Sequence, residues 1–352
     1  LFADARLPDY VMRDLEALVE KLMGPMAVRS SSLLEDSKTQ PFAGVYKTYM
    51  LANNHPDPAR RLEELARAVK FIYASVFSCE ARGYRRLNPL IIDEEKMAVV
   101  IQRVVGRAYP GGRHYPAFAG VIQSYNYYPA PPLKAEDSIA HVALGLGKTI
   151  VEGYNALRFS PSHPQNLHQF CTIEDFLANS QKKFMALKTA PSETTLGYEE
   201  EPALEAAGIE DAEKDGSLEL VGSTYSAEND RVLDNISEPG RRLITFAPIL
   251  KNGALPLSEI LNTLSALGKE AMGCYIEMEF ACDYDPISGA AAFNILQMRP
   301  MVSRSQVKKV SLKDIKPESL LILSVQALGN GAYRDILDIV YVIPEKFNLL
   351  KT

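Results

Sequence analysis

The stretch that most constrains the fold is residues 274–300, where two strand-like segments flank a run rich in Asp, Pro and Gly. The first segment carries Glu277 and Glu279, and the second carries Gln297 and Arg299. Because side chains alternate between the two faces of a strand, these four share one face and apolar side chains occupy the other. The sequence therefore predicts a β-hairpin in which Glu279 lies opposite Gln297 and Glu277 opposite Arg299.

The polar face of this hairpin has two interpretations. Carboxylate and amide oxygens are the ligands that Mg²⁺ prefers, and a guanidinium group is a planar fork suited to phosphate. The face is therefore compatible with a site for a magnesium-bound phosphate. The alternative is the solvent-facing side of a half-buried hairpin, with Glu277 and Arg299 forming a cross-strand ion pair.

Composition excludes several classes of protein. The net charge of −6 over 352 residues argues against general affinity for nucleic acids. The four cysteines include no close pair, which argues against a zinc knuckle or a disulfide framework and is typical of a reducing compartment. No apolar run has the length of a membrane span, and no signal peptide is visible. We expect a cytoplasmic protein, and the initial Leu rather than Met indicates a piece of a longer one.

Periodicity and turn residues predict the remaining elements. Residues 188–217 are acidic and are predicted to be flexible or weakly helical. Residues 33–44 are predicted to form an ordered loop. Helices are expected at residues 8–23, 57–86, 173–187 and 257–272 and from Ala227 onwards. Strands are expected at residues 26–29, 97–105, 118–128, 218–222 and 243–250, with further strands at 307–310, 320–328 and 336–342.

Two other features have open interpretations. Arg29 follows a strand beside three serines, so it is either an anion contact or a surface residue next to helix-capping hydroxyls. Gly147-Lys148-Thr149 is not a P-loop, because Val142 occupies the position that requires the first glycine. A glycine turn that opens a short helix can still offer N–H groups to a phosphate. The alternative is a tight strand-to-helix turn without a ligand.

A set of ordered motifs carries a family resemblance. They are AVRSSS…ED…PFAG at 27–44, VVIQRVV at 99–105, GVIQSYN at 120–126, GLGKTIVEG at 145–153, EMEFA at 277–281 and ILQMRP at 295–300. They resemble VRSSA-x-ED…FAG, VVVQRMV, GVAFTRNP, GLGEAVVSG, DIEWA and ILQARP of phosphoenolpyruvate synthase and its relatives, pyruvate phosphate dikinase and rifampin phosphotransferase. Any one motif is weak, whereas the ordered set is specific and covers nearly all of residues 27–300.

The resemblance implies an α+β, ATP-grasp-like domain in which two lobes hold MgATP. The lobes would span approximately residues 1–215 and 216–300, and residues 301–352 would begin a swivelling phosphohistidine domain. In such proteins ATP phosphorylates a carrier histidine, which passes the phosphate to pyruvate or another acceptor. The chain is accordingly expected to be a fragment of an ATP-dependent phosphotransferase resembling pyruvate, water dikinase.

The resemblance assigns Arg29 to the ATP phosphates and Arg299 to the transferred phosphoryl group. It assigns Glu279 and Gln297 to Mg²⁺. These assignments agree with the interpretation of the hairpin as a magnesium-phosphate site.

Further residues are assigned to the nucleotide itself. Glu277 stands where the family has Asp, at a position that lies over the ribose. Gln102 and the backbones of Val104 and Val105 would edge the adenine pocket, and Ser124 would touch phosphate. The expected ligands are therefore ATP and Mg²⁺.

The chain departs from the family at several points. The family's Gly-Gly-Lys segment is absent, Lys148 replaces a Glu, and Asn126 is followed by Tyr127 instead of Pro. The phosphohistidine carrier and the pyruvate-binding barrel, which are the expected partners along with a possible second copy of the chain, are also missing. A non-catalytic ATP-binding or sensing module, or a dikinase with another acceptor, therefore remains an alternative.

Overall fold

The computed structural model describes residues 1–32, 35, 44–86, 96–151, 153–190, 195–199, 201–301, 317–323 and 336–343. The helices are α1 (Asp9–Lys21), α2 (Pro58–Ser75), α3 (Cys79–Arg86), α4 (Lys148–Val151), α5 (Ile173–Asn179), α6 (Ile209–Asp215), α7 (Ala247–Leu250) and α8 (Leu257–Met272), with a 3₁₀ turn at Pro317–Ser319. The strands are β1 (Met26–Ser32), β2 (Thr48–Leu51), β3 (Met97–Arg103), β4 (Arg107–Tyr109), β5 (Arg113–Tyr115), β6 (Phe118–Gln123), β7 (Ile139–Ala143), β8 (Leu157–Phe159), β9 (Lys183–Lys188), β10 (Leu204–Gly208), β11 (Gly222–Ser226), β12 (Arg231–Leu233), β13 (Arg241–Ile244), β14 (Ile276–Asp285) and β15 (Ala290–Pro300).

A three-stranded antiparallel sheet in the order β2-β1-β3 packs against α1 and α2. Asp57 caps α2 by accepting a hydrogen bond from the amide of Ala59 at 2.9 Å, and Pro58 supplies a helical first residue. Leu65 of α2 and Val28 of β1 are both fully buried in this core. Since neighbouring residues of a strand face opposite ways, Arg29 points away from the helices.

A five-stranded antiparallel sheet in the order β15-β14-β6-β7-β8 contains the predicted hairpin. One face is apolar: Met278 and Phe280 of β14 and Ile122 of β6 are at most 1% exposed. Helix α8 lies against β14 and β6 on the apolar side. The polar side chains of the hairpin are thereby held on the opposite face. This sheet takes strands from both sides of residue 215, and the lobe boundary there stays a prediction.

Two smaller sheets, β10-β9-β5-β4 and β12-β11-β13, complete the described strands. Together the helices and sheets confirm a mixed helix and sheet fold. None of the helices within the described ranges has both the length and the apolar character needed to cross a bilayer.

Several element predictions are confirmed. Helix α8 occupies residues 257–272 as expected, α1 lies within the predicted 8–23, and the hairpin of β14 and β15 forms within 274–300. The segments 26–29 and 97–105 also contain strands, although β3 ends at Arg103 and its residues alternate between half-buried and exposed.

The helix predicted at 173–187 is wrong beyond Asn179. Polar side chains interrupt it: Ser180 Oγ accepts a hydrogen bond from the amide of Ile244 at 2.7 Å, and Gln181 Oε1 accepts one from the amide of Leu144 at 2.9 Å. The chain then enters a sheet as β9, whose central residues are buried. Tertiary contacts have overridden helical periodicity here.

Other predictions require correction in their type or extent. Residues 57–86 form two helices, because the chain turns between Ser75 and Cys79. Within residues 188–217, predicted to be flexible or weakly helical, α6 agrees with the helical alternative, whereas the strand β10 was not predicted. A turn follows Ala227 where a helix was expected, and Phe246, with φ +56°, ends the strand predicted at 243–250 before α7. The strand predicted at 218–222 begins only at Gly222, and the one at 118–128 ends at Gln123.

Predictions for the C-terminal part are tested only in places. Residues 320–323 and 336–343 have neither helix nor strand, so the predicted strands are wrong there. Residues 307–310 and 324–328, like most of the loop predicted at 33–44, lie outside the described residues.

Helix α8 offers a matched test of the packing that holds the hairpin. Leu261 is fully buried and Leu267 is 56% exposed. Leu261→Ala should lower the free energy of unfolding by ~2–5 kcal/mol through lost burial and a residual cavity. Leu267→Ala should lower it by less than ~1 kcal/mol. Urea unfolding followed by circular dichroism measures both, and equal losses would contradict the described packing of α8.

Candidate functional site

The hairpin register confirms the sequence prediction. Glu279 pairs with Gln297 and Glu277 pairs with Arg299 across β14 and β15. A register irregularity follows between Glu279 and Phe280, so the pairing shifts by one residue towards the hairpin tip. The four polar side chains therefore lie on one face at the regular end of the hairpin.

Arg29 reaches this face from the other sheet. Its Nη2 donates to Glu279 Oε2 at 2.8 Å and to Gln297 Oε1 at 2.7 Å. The side chains of Arg29 and Glu279 are 20% and 29% exposed, so the ion pair is partly screened by protein. One nitrogen thus marks a point on which the carboxylate oxygen and the amide oxygen both converge. These two oxygens are close enough to each other to contact one shared atom, as a metal ion would require.

The donor set fits magnesium but does not form a complete cage. Nowhere in the described part of the chain do three or more His, Cys, Asp or Glu side chains cluster as a metal site. Mg²⁺ is commonly held by one or two protein oxygens together with waters and substrate phosphates. Glu279 Oε2 and Gln297 Oε1 could supply that partial coordination, because the two oxygens point at one atom, which here is the Nη2 of Arg29.

Glu277 and Arg299 form the second half of the polar face. Arg299 Nε donates to Glu277 Oε1 at 2.8 Å, and Arg299 Nη2 also contacts that oxygen. The other oxygen, Glu277 Oε2, accepts a hydrogen bond from Gln123 Nε2 at 2.7 Å. Both oxygens of Glu277 are therefore engaged by protein groups. The cross-strand ion pair of the alternative interpretation is present, together with the Arg29 contacts that it does not explain.

The residues predicted to edge the adenine pocket lie where β3 ends. Gln102 Nε2 donates to the carbonyl oxygen of Leu296 in the hairpin at 3.4 Å. The amide of Val104 donates to Pro25 O at 3.0 Å. No backbone hydrogen bond joins Val105 to another described residue. Of the two valines, only Val104 has a backbone hydrogen bond to another described residue.

Ser124 is the predicted site residue that the structure does not bring to the polar face. It is fully buried, and its Oγ accepts a hydrogen bond from the amide of Ile276 at 2.8 Å. Its own amide donates to Ile276 O at 2.9 Å, extending the pairing of β6 with β14. This geometry gives no support to the predicted phosphate contact.

The glycine turn before α4 is internally bonded. The amides of Leu146 and Thr149 donate to Met185 O at 2.9 Å and Leu146 O at 2.8 Å. Lys148 forms an ion pair with Glu201, whose second oxygen accepts a hydrogen bond from the amide of Met50 at 3.2 Å. These contacts favour the interpretation of a tight structural turn.

Sequence reasoning missed residues that the sheet adds to the polar face. Across the strands, Glu277 pairs with Gln123, while Glu279 pairs with Val121, which pairs in turn with His141. Burial and the nearby guanidinium of Arg158 lower the pKa of His141 to about 4, against a smaller opposing effect of Glu277. The imidazole is therefore neutral near pH 7. Alternation along β6 and β7 could have shown which residues of each strand share a face. The sequence pattern does not show the order of the strands, which decides that these residues lie beside Glu277 and Glu279.

A cavity of about 300 Å³ lies apart from these groups, between β2, α2 and residues 195–203. None of the nine predicted site residues is among the residues lining it. The candidate site is the polar face between the two sheets, not this cavity.

Two sheets that meet through guanidinium–carboxylate contacts over a hairpin with carboxylate and amide oxygens are compatible with a phosphate-binding protein. Comparison with known proteins makes the class specific. The family described as "Pyruvate phosphate dikinase, AMP/ATP-binding domain" matches residues 1–320. The chain belongs to this family, and its fold is that of an AMP/ATP-binding domain.

Curated relatives are phosphotransferases. A rifampicin phosphotransferase of Streptomyces sviceus is 33% identical over 129 residues, which are 36% of this chain and 12% of the relative. A phosphotransferase of Bacillus subtilis, YvkC, is 31% identical over 130 residues, which are 36% of this chain and 13% of the relative. The matched stretches thus span about an eighth of each relative, and the relatives extend far beyond them.

The low pKa of His141 predicts a stability change with pH. The unfolded chain takes up a proton near pH ~6.5, whereas the folded imidazole does so only near about 4. The stabilisation is present above pH ~6.5 and is lost as the pH falls towards 4. The free energy of unfolding should fall between pH 7 and pH 5 in the parent. In His141→Gln this fall should be smaller by about 1–2 kcal/mol, because the titrating group is gone.

Urea unfolding at the two pH values measures this difference. His168→Gln, at an exposed histidine, is the control and should keep the parental pH dependence. Identical pH dependence in the parent and His141→Gln would show that His141 titrates normally.

Proposed function

We propose that the chain binds MgATP between its three-stranded and five-stranded sheets and acts in ATP-dependent phosphoryl transfer. The observation that carries this proposal is the convergence of Arg29 Nη2 on Glu279 Oε2 and Gln297 Oε1. It joins a cation from one sheet to two metal-type oxygens from the other. Membership of a family of AMP/ATP-binding domains supplies independent support.

Each residue has a role that follows from charge and position. Phosphoryl transfer needs alignment and charge neutralisation more than covalent chemistry from the protein. Glu279 and Gln297 would hold Mg²⁺, which would offset the negative charge of the phosphates. Arg29 and Arg299 would bind phosphate oxygens, because a guanidinium group forms strong charge-assisted bonds with them.

Arg29 has to change partners for this role. Its Nη2 hydrogen bonds now neutralise the same oxygens that would hold the metal. A divalent cation at those oxygens would repel the guanidinium and leave it available to the phosphates. Binding of the metal and of the nucleotide should therefore be coupled through Arg29.

The adenine ring of ATP is proposed to lie against the residues at and after the end of β3. Val105 would offer its backbone groups to adenine, and Gln102 links β3 to the hairpin. Glu277 is proposed as a partner of Arg299 instead of a ribose contact, since both of its oxygens are already engaged. The two lobes, with a further domain beginning after residue 300, remain the proposed organisation.

The transfer of the phosphoryl group from ATP to later acceptors is proposed from the family resemblance alone. In a longer protein the phosphate would pass to a carrier histidine and then to pyruvate, as in phosphoenolpyruvate synthase. A relative named for rifampicin makes a different acceptor a direct alternative. A non-catalytic sensing module is the other alternative, and histidine labelling separates it from a phosphotransferase.

Nucleotide binding is the first test. Arg29→Met and Glu279→Gln should each weaken MgATP binding roughly 10- to 100-fold, since a hydrogen bond to a charged group contributes about 1.5–3 kcal/mol. Calorimetric titration of the parent and both variants measures the change. Arg231→Met, at an exposed arginine, is the control and should bind as the parent does. Parental affinity in both site variants would refute the assigned site.

Phosphoryl transfer is the second test. The longer protein with its carrier domain, incubated with labelled ATP, should acquire an acid-labile and base-stable label on histidine. Arg299→Met should reduce the labelling rate by about 10²–10³-fold, the usual loss when one transition-state donor is removed. Tight binding of MgATP without any label would identify a sensing module instead.

A further inference from the structure

Gln123 lies beside the candidate site without a role in the proposed reaction. It ends β6, and it pairs with Glu277 in the register of β6 and β14. Its Nε2 donates to Glu277 Oε2 at 2.7 Å, a short hydrogen bond to a carboxylate. The two residues are 154 positions apart in the sequence, so the contact exists only in the folded sheet.

The contact completes a linear chain of hydrogen bonds. Gln123 engages one oxygen of Glu277, and Arg299 engages the other through both Nε and Nη2. A carboxylate bonded on one side alone can rotate about its last side-chain torsion, which is a broad one. Bonds on both sides fix the carboxylate plane, and the fixed plane in turn fixes the guanidinium plane of Arg299.

The orientation of the Arg299 guanidinium determines which of its N–H groups can reach a phosphate. Glu277 engages the Nε–Nη2 edge, so a phosphate would approach the guanidinium from the side that faces away from Glu277. A free arginine side chain carries about 2 kcal/mol of rotamer entropy, part of which is lost at each binding event. Holding the group before the ligand arrives reduces that loss.

The residue types at this point differ from those in the related motif. Gln123 stands where GVAFTRNP has Phe, and Glu277 stands where DIEWA has Asp. A phenyl ring has no donor for a carboxylate, so the same contact cannot form with Phe at that position. The longer Glu277 and the amide of Gln123 meet each other in this chain.

We propose that Gln123 is a positioning residue: it fixes Glu277, which fixes Arg299 towards the transferred phosphoryl group. This inference rests on the proposed function. Among the charged and titratable groups on this face, Arg299 contacts Glu277, Glu279 lies two residues further along β14, and His141, which is neutral near pH 7, is more distant. Since Gln123 is uncharged, it orients the ion pair without altering its net charge.

The test uses Gln123→Met, which keeps the length of the side chain and removes the donor. Gln165→Met, at an exposed glutamine, is the matched control. The first readout is the ¹H–¹⁵N signal of Arg299 Nε in the ligand-free protein, assigned with Arg299→Met. In the parent it should be sharp and slow to exchange with solvent, and in Gln123→Met it should broaden and exchange at least fivefold faster. An unchanged signal would overturn the inference whether or not the protein binds ATP.

The second readout is a double-mutant cycle on histidine labelling by the longer protein. Gln123→Met should slow labelling about 5- to 20-fold and change the dissociation constant of MgATP less than twofold. In the Arg299→Met background it should have no further effect, because the group that it positions is gone. Equal slowing in both backgrounds would overturn the inference, since Gln123 would then act independently of Arg299.

The two readouts separate this inference from the proposed function. If the Nε signal responds to Gln123→Met but the parent neither binds MgATP nor becomes labelled, the proposed function fails and the link to Arg299 stands. If the parent is active and the Nε signal is insensitive to Gln123, only the inference fails. Melting temperatures within about 4 °C of the parent would show that Gln123→Met folds normally.

Discussion

The structure of the site depends on a partly buried ion pair between two sheets. Arg29 belongs to the small N-terminal sheet, whereas its partners Glu279 and Gln297 belong to the hairpin of the larger one. A charge that is removed from water is costly unless it is paired and hydrogen-bonded. Each sheet therefore requires the polar face of the other. A cation and metal-type oxygens separated by 250 or more residues in the sequence are brought into contact.

The apolar cores explain why the polar groups cannot turn away. Val28, next to Arg29, is buried among the residues of α1 and α2, and Met278, between Glu277 and Glu279, is buried beneath the hairpin. Rotating either strand to expose its polar side chains differently would expose these residues, at roughly 1.5–3 kcal/mol for each one. The site geometry is thus a consequence of alternation in two independent cores. Gln102, bonded from β3 to the hairpin carbonyl of Leu296, adds a second link between the sheets.

How well the sequence predicted each part of the site depends on how far apart in the chain the interacting residues are. The hairpin and its register were predictable, because a period of two and a nearby turn are local signals. Resemblance located Arg29, which no local pattern could bring to the hairpin. Gln123 and His141 were missed because their relation to Glu277 and Glu279 depends on the order β14-β6-β7, which periodicity does not contain. The helix predicted through residues 180–187 failed for the same reason, since Ser180 and Gln181 bond to distant backbone groups.

Charge alone cannot make this site select a nucleotide. The carboxylates of Glu277 and Glu279 cancel the guanidinium groups of Arg29 and Arg299, and the whole chain carries a net charge of −6. A magnesium nucleotide is itself an anion, so long-range attraction contributes little, and screening removes most of it beyond about 8 Å in physiological salt. Under the proposed function, affinity would come from short, directional bonds formed when Arg29 exchanges its partners for phosphate oxygens. Among four charges that cancel, the orientation of each guanidinium group would decide the strength of such bonds, and the contact of Gln123 with Glu277 is proposed to set that orientation for Arg299.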